Sequence, residues 1–233
     1  MKIVAEQIGV IHSCFTEKFG IPRQPGMVKS SVAELELISP YNREEMVRGL
    51  DQFSHVWIHF VFHTVVCQGW KSMVRPPWLG GKKKVGVFGC RTPHRPNHLG
   101  LSAVRLEGIE VRKSGPVLLL SGIDLLDGTP VIDIKPYVPY CDKIDDAVAG
   151  YADGAVPGAE VVFSDSAVEF CNSYRLRTGR DIKTLIAEMI RQDPRPAIQK
   201  NSEKSSFGML LWDVNVRFQV TGADFFVESC HMV

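Results

Sequence analysis

The chain has 233 residues, of which 45% are hydrophobic and 23% charged, an ordinary globular composition that can bury a core and is not that of a disordered segment. Lys and Arg number 27 against 26 Asp and Glu, a formal net charge of +1, so contact with a polyanion must come from local clusters and not from a global field. No stretch approaches the length of a membrane span, so no membrane partner is expected.

The first 140 residues read as β-rich. Lys2–His12 is apolar and β-branched, a strand signal. Its N-terminal part has no apolar leader core and no small-residue cleavage site. With six cysteines and no C-x-x-C pair, free thiols in a reducing cytosol are expected. Ile21–Lys29, IPRQPGMVK, sets a cation and an amide between prolines. Glu34–Ile38 alternates acidic and apolar residues. Phe53–Cys67, FSHVWIHFVFHTVVC, has strand composition. Period 2 puts His55, His59 and His63 on one face with Trp57 and Val61, and Val56, Ile58, Phe60 and Phe62 on the other. Along a strand the histidines span roughly 26 Å, too far for one metal ion.

Val85–Phe88 is a further strand, leading into Gly86–Ser102, GVFGCRTPHRPNHLGLS. Pro93 and Pro96 forbid a regular helix or central strand there. The result is a stiff cationic loop carrying Arg91 and Arg95, and rigid loops on β scaffolds are where binding groups sit. Cys90, His94 and His98 have ligand-like spacing but no fourth ligand nearby, so no metal is expected. Lys82-Lys83-Lys84 lies just upstream. Strands follow at Ala103–Arg112, Val117–Leu125 and Thr129–Lys135, the last two separated by the turn signal Asp127-Gly128. Many short strands with Gly and Pro turns predict a small barrel.

Residues 143–160 are rich in Ala, Gly and Asp and read as a linker. Ser164–Arg177 is a helix candidate. Asp181–Gln192 places Ile182, Leu185, Ile186, Met189 and Ile190 on one helical face, with Pro194 and Pro196 to stop it. Arg175, Arg177, Arg180 and Lys183 form a second basic cluster. Leu210–Val220 and Phe225–Cys230 flank Thr221-Gly222-Ala223-Asp224 and read as a terminal hairpin. The predicted fold is mainly β with α+β: a barrel over 1–142, a linker, and a smaller α+β domain over 161–233. No G-x-G-x-x-G, P-loop, G-x-S-x-G or H-E-x-x-H is present, so no ordinary dinucleotide or Rossmann methyltransferase site is written here.

In order along the chain, EQIGVIHS, PRQPG, YNREEMVRGLDQFSHVWIHFVFH, VRPPWLGG, GVFGCRTPHRPNHLGLS, DLLDGTPVIDIKPY and QDPRPA resemble the TrmO family, also called TsaA-like or YaeB-like. The resemblance implies an S-adenosylmethionine-dependent methyltransferase built on a small β-barrel. Family members methylate N6 of threonylcarbamoyladenosine 37, beside the anticodon of threonine tRNA. It also implies a homodimer with the cofactor pocket near the subunit interface. The C-terminal α+β unit is a feature of the bacterial branch.

By matching position, the cofactor residues would be Arg23, Gln24, Pro25, His63, Thr64, Arg91, Leu101, and Asp124, Leu125, Leu126 and Asp127. Arg95 and Asn97 would shape the loop or face substrate, with Lys135 and Tyr137 beside them as substrate residues. Gly89, Cys90, Thr92, His98 and Leu99 depart from the family's loop, Thr64 stands where Gln is common, and Ile198 stands where an aromatic residue is common.

Methyl transfer from a sulfonium is an in-line displacement with a neutral leaving group. The protein must align the reacting atoms and exclude water. The accepting N6 is a weak nucleophile, so a general base is expected. Asp124 and Asp127 are the main candidates, with His63 and His94 behind them. The alternatives are an RNA-binding barrel without catalysis and a metal-dependent hydrolase using Cys90, His94 and His98.

Overall fold

A computed structural model of the chain describes residues 1–152, 159–195, 205–222 and 224–233. Strands β1 (Gly9–Ser13), β2 (Val32–Leu37), β3 (His55–Val61), β6 (Leu99–Arg112), β7 (Gly115–Ser121) and β8 (Pro130–Pro136) close into a barrel in the order β1-β2-β7-β6-β3-β8. All its pairings are antiparallel. Closure leaves no exposed edge. Alternation fills the interior: Val56, Ile58 and Phe60 of β3 point in beside Ile11, Leu35, Val104 and Val131, while His55, Trp57 and His59 remain half-exposed outside. The small hairpin of β4 (Met73–Val74) and β5 (Val85–Gly86) stands apart.

Several expected strands are shorter than their apolar runs. Residues 1–7 form no strand, and Ile3 and Val4 are exposed, because the backbone bonds to β2 and β8 begin at Ile8. β3 ends at Val61 because its partner β6 begins at Leu99, directly opposite. The Phe62 amide then bonds to the His98 carbonyl (2.8 Å) and the chain turns into a 3-10 segment over His63–Gln68. His63 therefore leaves the face it was expected to share with His55 and His59. β5 keeps only two residues, and β7 stops at Ser121, before Gly122 turns the chain with φ +66°.

β7 and β8 are also not a hairpin, despite Asp127-Gly128 between them. β7 lies between β2 and β6, and β8 between β3 and β1. The connection crosses one end of the barrel and is bonded to β1: Gly128 N donates to Ile11 O (2.8 Å), and Ile11 N to Thr129 O (3.0 Å).

After the single-turn helix α1 (Pro139–Asp142), Tyr151 donates its hydroxyl to Gly89 O (2.8 Å), so this part of the linker docks on the cationic loop. Residues 153–158 lie outside the described residues. The C-terminal unit comprises β9 (Val161–Phe163), α2 (Asp165–Thr178), α3 (Ile182–Arg191), β10 (Ser206–Leu211), β11 (Val214–Thr221) and β12 (Asp224–Met232), with sheet order β10-β11-β12-β9.

Both helices start on side-chain caps. Ser164 Oγ accepts from Ala167 N (3.1 Å), and Asp181 Oδ1 from Thr184 N (3.2 Å). Gly179, at φ +74°, ends α2. α3 ends at Arg191, ahead of Pro194; Pro196, Ile198 and Ala223 lie outside the described residues.

The expected strand Leu210–Val220 is two strands, turning at Trp212-Asp213 with Trp212 at φ +53°. No glycine signals this turn. Trp212 is held from outside it, by Cys14 O on its amide (2.9 Å) and by the Arg180 guanidinium over its ring (4.8 Å). β11 and β12 do pair as the expected hairpin.

Candidate functional site

The segment between β1 and β2, residues 14–31, brings distant pieces of sequence together. At one end Ser13 Oγ donates to Leu125 O (2.7 Å), Asp127 Oδ1 accepts from Ser13 N (2.9 Å), and Asp127 N donates to Phe15 O (2.8 Å). At the other, Gly122 N donates to Ser31 O (2.9 Å), and the Ser31 hydroxyl lies within reach of the carbonyls of Val28 (2.8 Å) and Ile123 (3.0 Å). In the middle Gly26 N donates to Gly122 O (2.7 Å). Both glycines have positive φ, +76° at Gly26 and +66° at Gly122, a backbone conformation that glycine adopts without strain and other residues rarely do. Arg23-Gln24-Pro25 is thereby held next to Asp124–Asp127.

Arg91 joins from the cationic loop, with Nη1 2.5 Å from Gln24 Oε1. Asp124 accepts from Ser102 Oγ (2.7 Å), whose strand alternation points it into the barrel. Burial pushes the Asp124 carboxyl up to about 6, against the opposing pull of the Ser102 hydroxyl and the Arg91 charge. An anionic acceptor near neutrality, a cation and an amide thus converge from three separate segments, with Gln24 and Arg91 67 residues apart. Perturbed carboxylates in such a setting mark functional sites. Neither Ser102 nor the Gly26–Gly122 contact was singled out from the sequence. Their only signal was that Ser102 closes the long loop motif and alternates inward from Leu101.

The two carboxylate candidates are not equivalent. Asp127 is exposed and spends one oxygen on the Ser13 amide, so it shapes the crossing turn. The carbonyls of Leu125 and Leu126 are likewise engaged, the latter by Thr129 Oγ1 (2.7 Å). His63 and Thr64 begin the 3-10 segment, half-buried. Burial first, then the charge of Lys18 on the 14–31 segment, hold the His63 imidazole below its ordinary value. Leu101 is half-exposed, on the outer face opposite His59, and not on the Ser102 side.

The remaining expected residues divide. Arg95 donates to Cys90 O (2.9 Å) and so shapes the loop; Asn97 is exposed at φ +67°. Lys135 pairs with Asp133 (2.5 Å), and the Tyr137 ring lies 5.5 Å from that of Trp57, both on the outer barrel wall away from Ser102. Cys90 Sγ and His98 Nδ1 turn to the carbonyls of Val87 (3.4 Å) and Pro93 (3.1 Å), and His94 Nδ1 is buried without a hydrogen-bond partner. Among the described residues no cluster of three or more His, Cys, Asp or Glu could hold a metal ion.

Residues 10–143 match the model of the tRNA-methyltransferase O N-terminal domain, and residues 157–232 that of the TrmO C-terminal domain. The chain is 48% identical over 222 residues to a tRNA (adenine(37)-N6)-methyltransferase of Escherichia coli, covering 94% of each. It is 46% identical over 217 residues to a putative S-adenosylmethionine-dependent methyltransferase, RcsF, of Pseudomonas aeruginosa, covering 93% of this chain and 92% of that one. The crystal structure of TrmO from Pseudomonas aeruginosa superposes with a TM-score of 0.83 at 39% identity, over 99% of both chains. With the segments that carry the motifs drawn together as described, and both domains matched in order, the chain belongs to the tRNA-methyltransferase O (TrmO) family.

Proposed function

We propose that this protein is an S-adenosylmethionine-dependent tRNA methyltransferase acting on N6 of threonylcarbamoyladenosine 37 in threonine tRNA. The observation that carries this reading is the convergence of Arg91, Gln24 and Asp124 in a chain that matches such an enzyme at 48% identity over 94% of its length.

The cofactor's chemistry fits these groups. It brings ammonium and ribose hydroxyl donors, which a carboxylate such as Asp124 accepts, and a carboxylate, which Arg91 can pair. When bound it supplies a methyl group on a cationic sulfur. The protein's own residues hold the acceptor in line and exclude water. Asp124, ionised above about pH 6, is the better-placed proton acceptor, because Asp127 is bound to the Ser13 amide. Arg23, Gln24, Pro25, His63, Thr64, Leu101 and Leu125–Asp127 complete the proposed cofactor surface. Arg95, Asn97, Lys135 and Tyr137 are assigned to the tRNA side, where Tyr137 offers a stacking face for an unpaired base.

The same reading includes a homodimer, supported by exposed Trp70, Phe88, Leu99 and Leu101, and domains at 1–142 and 161–233, supported by the limits of the two family models. It also includes a cytoplasmic location, supported by the tRNA substrate and by six cysteines that are all free. Among the described residues no helix is long and apolar enough to cross a membrane.

Incubation with labelled cofactor and tRNA, with and without the threonylcarbamoyl group, followed by digestion to nucleosides, tests the activity. Label on the modified adenosine alone is expected. Neither label nor cofactor binding would leave the RNA-binding barrel ahead. Arg91→Ala should weaken cofactor binding about 10- to 100-fold by calorimetry, since a charge-assisted contact is lost. Arg91→Lys should recover little of it, because an ammonium lacks the planar fork. Full recovery by Lys would argue against a paired carboxylate.

A further inference from the structure

The proposed cofactor segment has two walls, and the second belongs to the C-terminal unit. Glu188 of α3 accepts from both the amide (2.9 Å) and the hydroxyl (2.8 Å) of Ser30 through one oxygen. One helical turn on, Gln192 Nε2 donates to Met27 O (2.8 Å). Upstream, Leu210 N donates to Glu17 Oε1 (2.8 Å) and Trp212 N to Cys14 O (2.9 Å). The C-terminal unit therefore grips residues 14–31 on both sides of Arg23-Gln24-Pro25. The barrel side holds the same stretch at its two ends, through Phe15 and Ser31, and between them through the Gly26 amide on Gly122 O.

Residues 18–31 hold no helix or strand of their own, so their conformation depends on such tethers. Glu188 lies on α3 and Gln192, four residues on, caps its C-terminal end, and the helix is anchored by buried Leu185, Ile186, Met189 and Ile190. That helix is rigid, and the loop is not rigid by itself.

We propose that α3 braces the cofactor segment, with Glu188 and Gln192 as positioning residues that set Arg23-Gln24-Pro25 through Ser30 and Met27. The C-terminal unit thus acts on cofactor affinity without touching the cofactor. This rests on the assignment of Arg23-Gln24-Pro25 to the cofactor site.

The test uses the full chain carrying Glu188→Ala and Gln192→Ala together, or Gln192→Ala alone if the pair fails to fold. Val227→Ala, at a buried position of β12, serves as a control that weakens the C-terminal unit away from the loop. In the ligand-free protein, exchange of the Gly26 amide, which bonds only to the barrel side, should quicken about tenfold in the braced-loop variant. Cofactor affinity should fall about tenfold with kcat at saturation nearly unchanged. Val227→Ala should lower Tm without either change, and Glu188→Gln, which retains an acceptor oxygen, should restore most of the Gly26 protection. Unchanged Gly26 exchange together with unchanged affinity overturns the brace. If Arg91→Ala and Asp124→Asn also leave affinity unchanged, the cofactor assignment fails, while exchange at Gly26 still decides whether α3 braces the loop.

Discussion

Asp124→Asn is expected to cost methyl transfer about 100-fold or more while making the ligand-free protein more stable above pH 6. Both effects follow from one carboxyl that burial raises from 3.8 to about 6. In the unfolded chain it ionises near its ordinary value; in the fold it holds its proton until about pH 6. Stability attached to the protonated form is complete below pH 3.8 and is lost as pH rises through 6, so at pH 8 the fold carries a buried charge. A shift of this size corresponds to about 1–2 kcal/mol after allowance for relaxation. Asparagine keeps the shape and an acceptor for Ser102 and carries no charge. Urea unfolding at pH 5 and pH 8 should therefore show the variant gaining on the wild type as pH rises. Activity should fall because a missing base or a missing anionic acceptor is worth about two to four powers of ten. Calorimetry separates the causes: unchanged cofactor affinity assigns the loss to proton transfer, weakened affinity to binding. Activity within a few-fold of wild type, or no stability gain at pH 8, would sink this role.

The second large effect is structural. Gly100→Ala should destabilise the barrel by about 3 kcal/mol, because its Cβ would lie 2.2 Å, 2.4 Å and 2.7 Å from the Phe60 ring carbons. Gly100 and Phe60 face each other across β3 and β6, and the ring, 5% exposed, covers the glycine and meets Phe62 edge-on at 4.9 Å. At this pair β3 is held on its other side by β8, through Phe60 opposite Val131, so the buried ring has little room to give way. For a chain of this size the loss should lower Tm by about 6–12 °C. Phe60→Leu in the same chain should recover part of it, so that the two changes together cost less than their sum. A Gly100→Ala protein with wild-type Tm would show that the barrel wall is softer than its packing implies.

These two positions mark the limit of what the sequence shows. The alternation of Phe53–Cys67 was enough to sort Val56, Ile58 and Phe60 from His55, Trp57 and His59, because side-chain direction in a strand is a local property. The same holds for α2 and α3, whose caps at Ser164 and Asp181 and apolar spacing are written within one turn of chain. The motifs around Arg91 and Asp124 were equally plain as text, and they were sufficient to name the family.

Where each run stopped, and what it met, was not local. β3 ends at Val61 because β6 begins opposite it. His63 turns away for that reason, and not because of its own neighbours in sequence. Asp127-Gly128 looks like a hairpin turn, yet pairing across the barrel sends β8 to β1 and makes Asp127 a clamp on Ser13. Asp124 and Asp127 are three residues apart and alike in sequence; only burial against Ser102, as opposed to exposure beside Ser13, tells them apart. By itself the sequence determined side-chain direction, helix limits and the identity of the chemical groups, because these depend on backbone sterics over a few residues. Strand partners, the raised carboxyl of Asp124 and the contact of Glu188 and Gln192 with Ser30 and Met27 depend on desolvation and hydrogen bonds between residues up to 165 positions apart, and those exist only once the barrel has closed and the C-terminal unit has docked.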